Sequence, residues 1–181
     1  NFLINTILIS SSLYLFFITL RDFFIKGFKN LAQNIAHFGF SLLILSILFN
    51  SLFSSEIITN LRVGETFQNT KAKIVFESIR QKEEENYKSI IGNFIVQDSK
   101  GKIENLSPEL RIYNQPNIAT SEADIKTTLL SDKFIVINML QNQDFFNVRY
   151  QVKPFMLWIW LSVILISFGG LVSFVKKKYE K

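Results

Sequence analysis

Three long stretches without a charge limit what this chain can become. Residues Phe2–Leu20, Leu31–Phe53 and Phe155–Val175 contain no Asp, Glu, Lys or Arg. Each is close to the ~20 residues a helix needs to cross roughly 30 Å of hydrocarbon. One such block could be a helix buried in a soluble core; three of them in 181 residues point to membrane spans. Ser10, Ser11 and Ser12 make the first block the weakest of the three. A signal peptide is its rival, but the block lacks a basic leading segment and a small-residue cleavage pattern.

Charge placement orients the spans. The segment between the first two blocks carries Arg21, Lys26 and Lys29 against Asp22, and the tail carries Lys176, Lys177, Lys178 and Lys181 against Glu180. These flanks, at +2 and +3, hold the entire formal net charge of +5. The segment from Ser54 to Lys153 has 13 basic and 13 acidic side chains and is neutral. Short basic flanks stay on the cytoplasmic side. The expected order is a span at 1–20, a cytoplasmic basic loop at 21–30, a span at 31–53, an extracytoplasmic domain at 54–153, a span at 154–175 and a cytoplasmic basic tail at 176–181. The basic balance is therefore a topology signal. A nucleic-acid partner is not expected, because its cations would gather on the soluble domain. With no cysteine, the chain forms no disulfide and offers no thiolate to a metal. It begins at Asn1 rather than Met, so it is expected to be the C-terminal piece of a longer protein or one product of a split gene.

The central segment reads as mainly β. Lys73–Ser78, Asn93–Asp98, Leu110–Tyr113, Phe134–Leu140 and Phe146–Val152 are short apolar or alternating runs bounded by turn residues. Asp98–Lys102 reads as a hairpin turn with Gly101 near its tip. Glu83–Glu85 reads as a solvated loop. Ser121–Leu130 reads as one short helix, with Ser121 as N-cap. About 100 residues can hold a small core without staples. The expected fold class is a membrane protein with three transmembrane α-helices and one mainly-β extracytoplasmic domain.

His37 is the only histidine, and it falls inside the second apolar block. An ionisable side chain at that depth marks a functional site by default. Asn30, Gln33, His37 and Ser41 follow at spacings of three, four and four, which puts them on one helix face. His37 lies six residues beyond Leu31, roughly 9 Å into the bilayer at ~1.5 Å per residue. Two readings stand: the stripe makes helix–helix hydrogen bonds with His37 as one satisfied donor, or His37 is a ligand. Gly39 lies off the stripe and could admit a close helix contact, and Gly169-Gly170 reads as helix packing. Trp158 and Trp160 suit an aromatic belt at the outer interface.

Several segments resemble a known family. LSPELRIY (Leu106–Tyr113), SEADI (Ser121–Ile125), VRYQVKPFMLWIW (Val148–Trp160) with Gly169-Gly170, the pair Asn86-Tyr87 and the upstream AHFG (Ala36–Gly39) occur in the order and spacing of CcmF, the membrane subunit of the cytochrome c haem lyase. The paralogue NrfE is similar over the same region. Ser162 stands where the family usually has Gly, and Ser121 where it usually has Thr. The resemblance implies cytochrome c-type biogenesis: haem is taken from a CcmE-type haem chaperone and, with a CcmH-type subunit, attached to apocytochrome c. It implies a transmembrane haem b with His37 as one axial ligand to the haem iron. The second ligand is expected from the rest of CcmF. Gln33 and Ser41 are the nearest candidates to support His37. No catalytic residue is expected in this segment by itself. The implied location is a bacterial or mitochondrial inner membrane, with 54–153 on the periplasmic or intermembrane-space side. Glu109, Arg111 and Arg149 carry family motifs; structural ion pairing and contact with a haem propionate are the two readings of them, and the structural one is preferred. The competing reading is a non-enzymatic membrane scaffold that displays a β domain for partner docking.

Overall fold

The computed structural model describes residues 2–26, 30–99, 101–139 and 144–179. Lys29, Lys100, Leu140, Glu180 and Lys181, which carry expectations above, lie outside the described residues. The chain divides into two compact units. One comprises residues 1–54, 128–132 and 153–181; the other comprises 55–127 and 133–152.

The first unit is helical. α1 (Phe2–Lys26), α2 (Leu31–Phe53) and α3 (Met156–Tyr179) are each long and apolar enough to cross a membrane. α1 runs on through Arg21, Asp22 and Lys26, and α3 through Lys176–Lys178, where a loop and a tail were expected. Nothing in either stretch breaks a helix before Gly27, and cations near a helix C-terminus suit its dipole. α2 and α3 pack at very short range. A Cβ built on Gly169 would lie 2.8 Å from the Ala32 carbonyl oxygen and from the Ala36 nitrogen. A Cβ on Gly39 would lie 3.0 Å from Leu165 Cβ. At the other end Asn50 Nδ2 donates to the Pro154 carbonyl at 2.6 Å, and the Phe49 and Phe155 rings meet at 5.2 Å. The two helices therefore run antiparallel. The close approach expected of Gly39 and Gly169 is present, whereas Gly170 has nothing within 4 Å of its would-be Cβ. Trp158 Nε1 donates to the Leu129 carbonyl at 2.7 Å, while Trp160 is exposed.

The second unit is β throughout. Its strands are β1 (Ser55–Leu61), β2 (Thr66–Gln68), β3 (Ala72–Glu83), β4 (Tyr87–Asp98), β5 (Ile103–Leu106), β6 (Glu109–Tyr113), β7 (Ile118–Glu122), β8 (Asp124–Thr127), β9 (Ser131–Met139) and β10 (Phe146–Pro154). Among the described residues they form one sheet of order β1-β10-β9-β8 and a second of order β2-β3-β4-β6-β7, with β5 paired to β4. All five expected strands are present. β3 and β4 extend further than expected, to twelve residues each, because their polar ends pair across the turn, Glu83 opposite Lys88. Antiparallel pairing satisfies the backbone there whatever the side chains are. The expected hairpin at Asp98–Lys102 connects β4 to β5: Asp98 Oδ1 accepts from the Lys102 nitrogen at 3.0 Å, and Gly101 takes φ 80°.

The core lies between the sheets. Ile74, Phe76, Phe94 and Val96 of one sheet face Ile135, Ile137, Val148 and Tyr150 of the other. The alternation that the sequence carries in β9 and β10 is what sends every second side chain inward. The Phe76 ring stacks on Phe94 at 4.2 Å and meets Phe146 edge-on at 5.6 Å. Gly92 leaves room for this pair, since a Cβ there would sit 2.7 Å from the Phe94 ring.

One expected element is corrected. Ser121–Leu130 is not a helix; it supplies the end of β7, the strand β8 and a turn. Asp124 accepts from the Ser107 nitrogen at 2.6 Å, and Ser121, the expected N-cap, bonds Asn138 instead. A ten-residue helix is marginal by itself, and pairing of Glu122 with Glu109 and of Ser121 with Leu110 in the β6–β7 ladder overrides local preference.

Candidate functional site

α1 and α2 form an antiparallel pair over the end where the basic flank lies. Phe16 and Phe23 of α1 hold Phe38 of α2 at ring distances of 5.6 and 6.1 Å. Thr19 Oγ1 and Ser41 Oγ share a hydrogen bond of 2.6 Å. Beyond this contact the helices part around a polar cavity of about 140 Å³, lined by Thr19, Asp22, Asn30, Gln33, Asn34 and His37. The predicted stripe is real but splits. Asn30, Gln33 and His37 share the cavity; Ser41 does not line it. Ser41 is fully buried, bonded to Thr19 and donating to the Phe38 carbonyl at 2.9 Å, so its hydroxyl is spent on helix packing.

His37 is exposed on α2, and it makes no hydrogen bond to another described residue. Gln33, one turn away, is exposed as well, while Asn34 is buried. Thr19, Asp22 and Asn34 join the site without having been singled out in the sequence. Asp22 was a loop charge there; the helix carries it round to face α2. Asn34 sits three residues before His37, a spacing that places it beside the stripe.

The donor inventory bears on any metal. No group of three or more His, Cys, Asp and Glu among the described residues could hold an ion. One imidazole can provide one axial bond to a haem iron and no more. The cavity holds the volume of about five waters at ~30 Å³ each, too little to enclose a porphyrin. His37 lines this cavity and is itself exposed.

Several charged residues of the β unit have structural partners. Arg111 Nη2 donates to Glu109 at 2.9 Å, which raises the guanidinium further and holds the Glu109 carboxyl below its ordinary range. Arg149 and Gln151 both donate to Glu56 across the β1–β10 ladder. Lys133, only 8% exposed, lies 3.0 Å from Asp98 and 3.1 Å from Glu104.

Residues 52–154 match the family described as the CcmF C-terminal beta-sandwich. The chain belongs to the CcmF family. Cytochrome c-type biogenesis protein CcmF of Pseudomonas fluorescens is 29% identical over 161 residues, covering 86% of this chain and 24% of its own length. CcmF of Escherichia coli is 24% identical over 147 residues, covering 81% of this chain and 23% of its own. The NrfE protein of Haemophilus influenzae, also named a cytochrome c-type biogenesis protein, is 23% identical over 178 residues, covering 97% of this chain and 28% of its own. A solved structure titled Cytochrome c Heme Lyase CcmF superposes with a TM-score of 0.67 at 16% identity, over 94% of this chain and 34% of that one. The fold of three spans with a β-sandwich is thus a CcmF fold, and the protein is an integral membrane protein. The chain spans about a quarter of the length of the CcmF relatives it matches.

Proposed function

We propose that this chain acts in cytochrome c-type biogenesis as part of a haem lyase, with His37 as one axial ligand of a haem b held in the membrane. The observation that carries this reading is the condition of that imidazole. It lies within an apolar span, is exposed at the rim of a polar cavity and has no hydrogen-bond partner among the described residues. An imidazole kept for helix–helix bonding would have one, since a polar group in hydrocarbon without a partner is costly. The names of the relatives and of the solved haem lyase support the part of this reading that concerns cytochrome c-type biogenesis and haem attachment.

Haem bound at this position supplies one-electron chemistry. The chain's own part is to fix one side of the iron and to set its surroundings. Gln33 lines the same cavity as His37 and is our candidate to orient the ring once haem is bound, as a second partner does for most ligating imidazoles. The second axial ligand comes from the rest of CcmF. The partners in the reaction are a CcmE-type haem chaperone, a CcmH-type subunit and apocytochrome c. The basic ends of the helices face the cytoplasm or matrix, and the β-sandwich faces the periplasm or intermembrane space.

The test is His37→Ala in the complete assembly. The variant loses the b-type Soret absorbance and accumulates apocytochrome c, and imidazole added to His37→Gly restores part of the band. A variant with the full band and normal covalent haem attachment would falsify the assignment.

A further inference from the structure

We propose that the turn at 128–131 dips into the lipid leaflet that α3 enters, with Leu129 and Leu130 seated at the boundary between headgroups and acyl chains. The turn joins β8 to β9, yet it belongs to the compact unit of the helices. Two hydrogen bonds tie it to the start of α3. Trp158 Nε1 donates to the Leu129 carbonyl at 2.7 Å, and the Phe155 nitrogen donates to the Leu130 carbonyl at 2.9 Å. The apolar span of α3 begins at Met156, so both donors lie within two residues of its first residue. Two residues of helix are roughly 3 Å of depth at ~1.5 Å per residue, and tryptophan favours that level of a bilayer. The bonds therefore hold the two leucines at the membrane surface. Leu129 is 69% exposed and Leu130 66%, and residues 127–131 carry no charge. Adjacent leucines this bare at interfacial depth meet lipid, and their burial there is favoured as that of any apolar surface is. Unpaired peptide groups usually keep a turn out of lipid. Here the Leu129 and Leu130 carbonyls are taken by α3. The Ser131 carbonyl accepts from the Thr128 nitrogen at 3.0 Å and from Thr128 Oγ1 at 2.8 Å. Thr128 Oγ1 accepts in turn from the Ser131 nitrogen at 3.1 Å.

The chain has no cysteine, so a nitroxide label goes to one introduced cysteine at a time. Leu129→Cys and Leu130→Cys are labelled in the full chain, reconstituted into phosphatidylcholine vesicles. The references are Lys71→Cys, at an exposed position of the β unit, and Ile164→Cys, at an exposed position well inside α3. Power-saturation electron paramagnetic resonance compares collisions with oxygen, which concentrates in lipid, and with a water-soluble nickel chelate. At both turn positions the ratio of oxygen to nickel collisions should be several-fold above that at Lys71 and below that at Ile164. Circular dichroism confirms that each labelled chain is folded, and either leucine position serves if the other variant is not. A ratio equal to that at Lys71 overturns the proposal, because the turn then stands in water. Labels shielded from both reagents overturn it too, the result expected if protein rather than lipid covers the turn.

Discussion

Alanine at Gly169 should loosen the helix pair, and alanine at its neighbour Gly170 should not. A Cβ at 169 would lie 2.8 Å from the Ala32 oxygen, 2.8 Å from the Ala36 nitrogen and 2.9 Å from Ala36 Cβ. None of these atoms can swing aside on a side-chain torsion, so relief requires α2 to move away. Overpacking of that kind costs about 1–3 kcal/mol. Both substitutions also gain the helix propensity of alanine over glycine, about 0.8–1.0 kcal/mol in soluble hosts. That gain cancels between the two variants, which leaves the overpacking as their difference. Gly170 has nothing within 4 Å to meet. Gly39→Ala should fall between them, because its Cβ would be 3.0 Å from Leu165 Cβ and 3.1 Å from the Ile166 nitrogen, contacts that a few tenths of an ångström would relieve. The assay is sodium dodecyl sulfate titration in mixed micelles, followed by helical circular dichroism. The midpoints should rank Gly170→Ala above Gly39→Ala above Gly169→Ala. A difference of 1.4 kcal/mol is a tenfold change in the unfolding constant, well within reach of the method. Equal midpoints for the variants at 169 and 170 would mean that the helices do not approach as closely as described.

Other outcomes can be checked on the β-sandwich. Phe76→Ala should destabilise it by about 3–5 kcal/mol, since the ring is fully buried and touches Phe94 and Phe146; chemical denaturation followed by aromatic circular dichroism measures this, and a loss under about 1 kcal/mol would contradict the packing argument. Burial by itself would raise the Glu104 carboxyl, but hydrogen bonds from Lys102 and Lys133 outweigh it and hold the group below its ordinary 4.5. Its contribution is therefore present above that value and lost as pH falls through the lower folded value. Glu104→Gln should flatten the acid limb of the stability curve, and an unchanged limb would exclude Glu104 as its source. Burial pushes the Tyr150 hydroxyl from 10.0 up to about 12. Between those values the unfolded chain gives up the proton and the folded chain keeps it, so stability falls as pH rises. Tyr150→Phe should abolish that fall and be neutral or slightly stabilising at pH 7, because the hydroxyl is buried without a hydrogen-bond partner among the described residues; persistence of the alkaline slope would assign it elsewhere.

The legible parts of this chain were those that depend on neighbours in sequence. Blocks of uncharged residues gave the helices, and period-two alternation gave β9 and β10. Less was legible where a partner decided the outcome. β1 carries only a faint pattern in SEIITNL, yet it forms because β10 offers it a full ladder from Ser55 opposite Val152 to Leu61 opposite Phe146. Ser121–Leu130 has the start of a helix and becomes strand because β6 pairs with its first two residues and β9 lies beside Asp124–Thr127. In the candidate site, His37 and Gln33 were visible from their spacing. Ser41 shared that spacing but belongs to the α1 contact, and Asp22 and Asn34 entered only once α1 was folded against α2.

By itself the sequence determined the three spans, their charged flanks and the presence of a single imidazole within the second. These follow from transfer free energy, which each residue contributes where it stands in the chain. The tertiary structure decided which face of α2 is covered and which is open. It set the gap that Gly169 leaves and Gly170 does not need, and it left His37 without a hydrogen-bond partner among the described residues while supplying one to Ser41. Those outcomes depend on which atoms of another helix arrive within 3–4 Å, and distance between helices is not written along either of them.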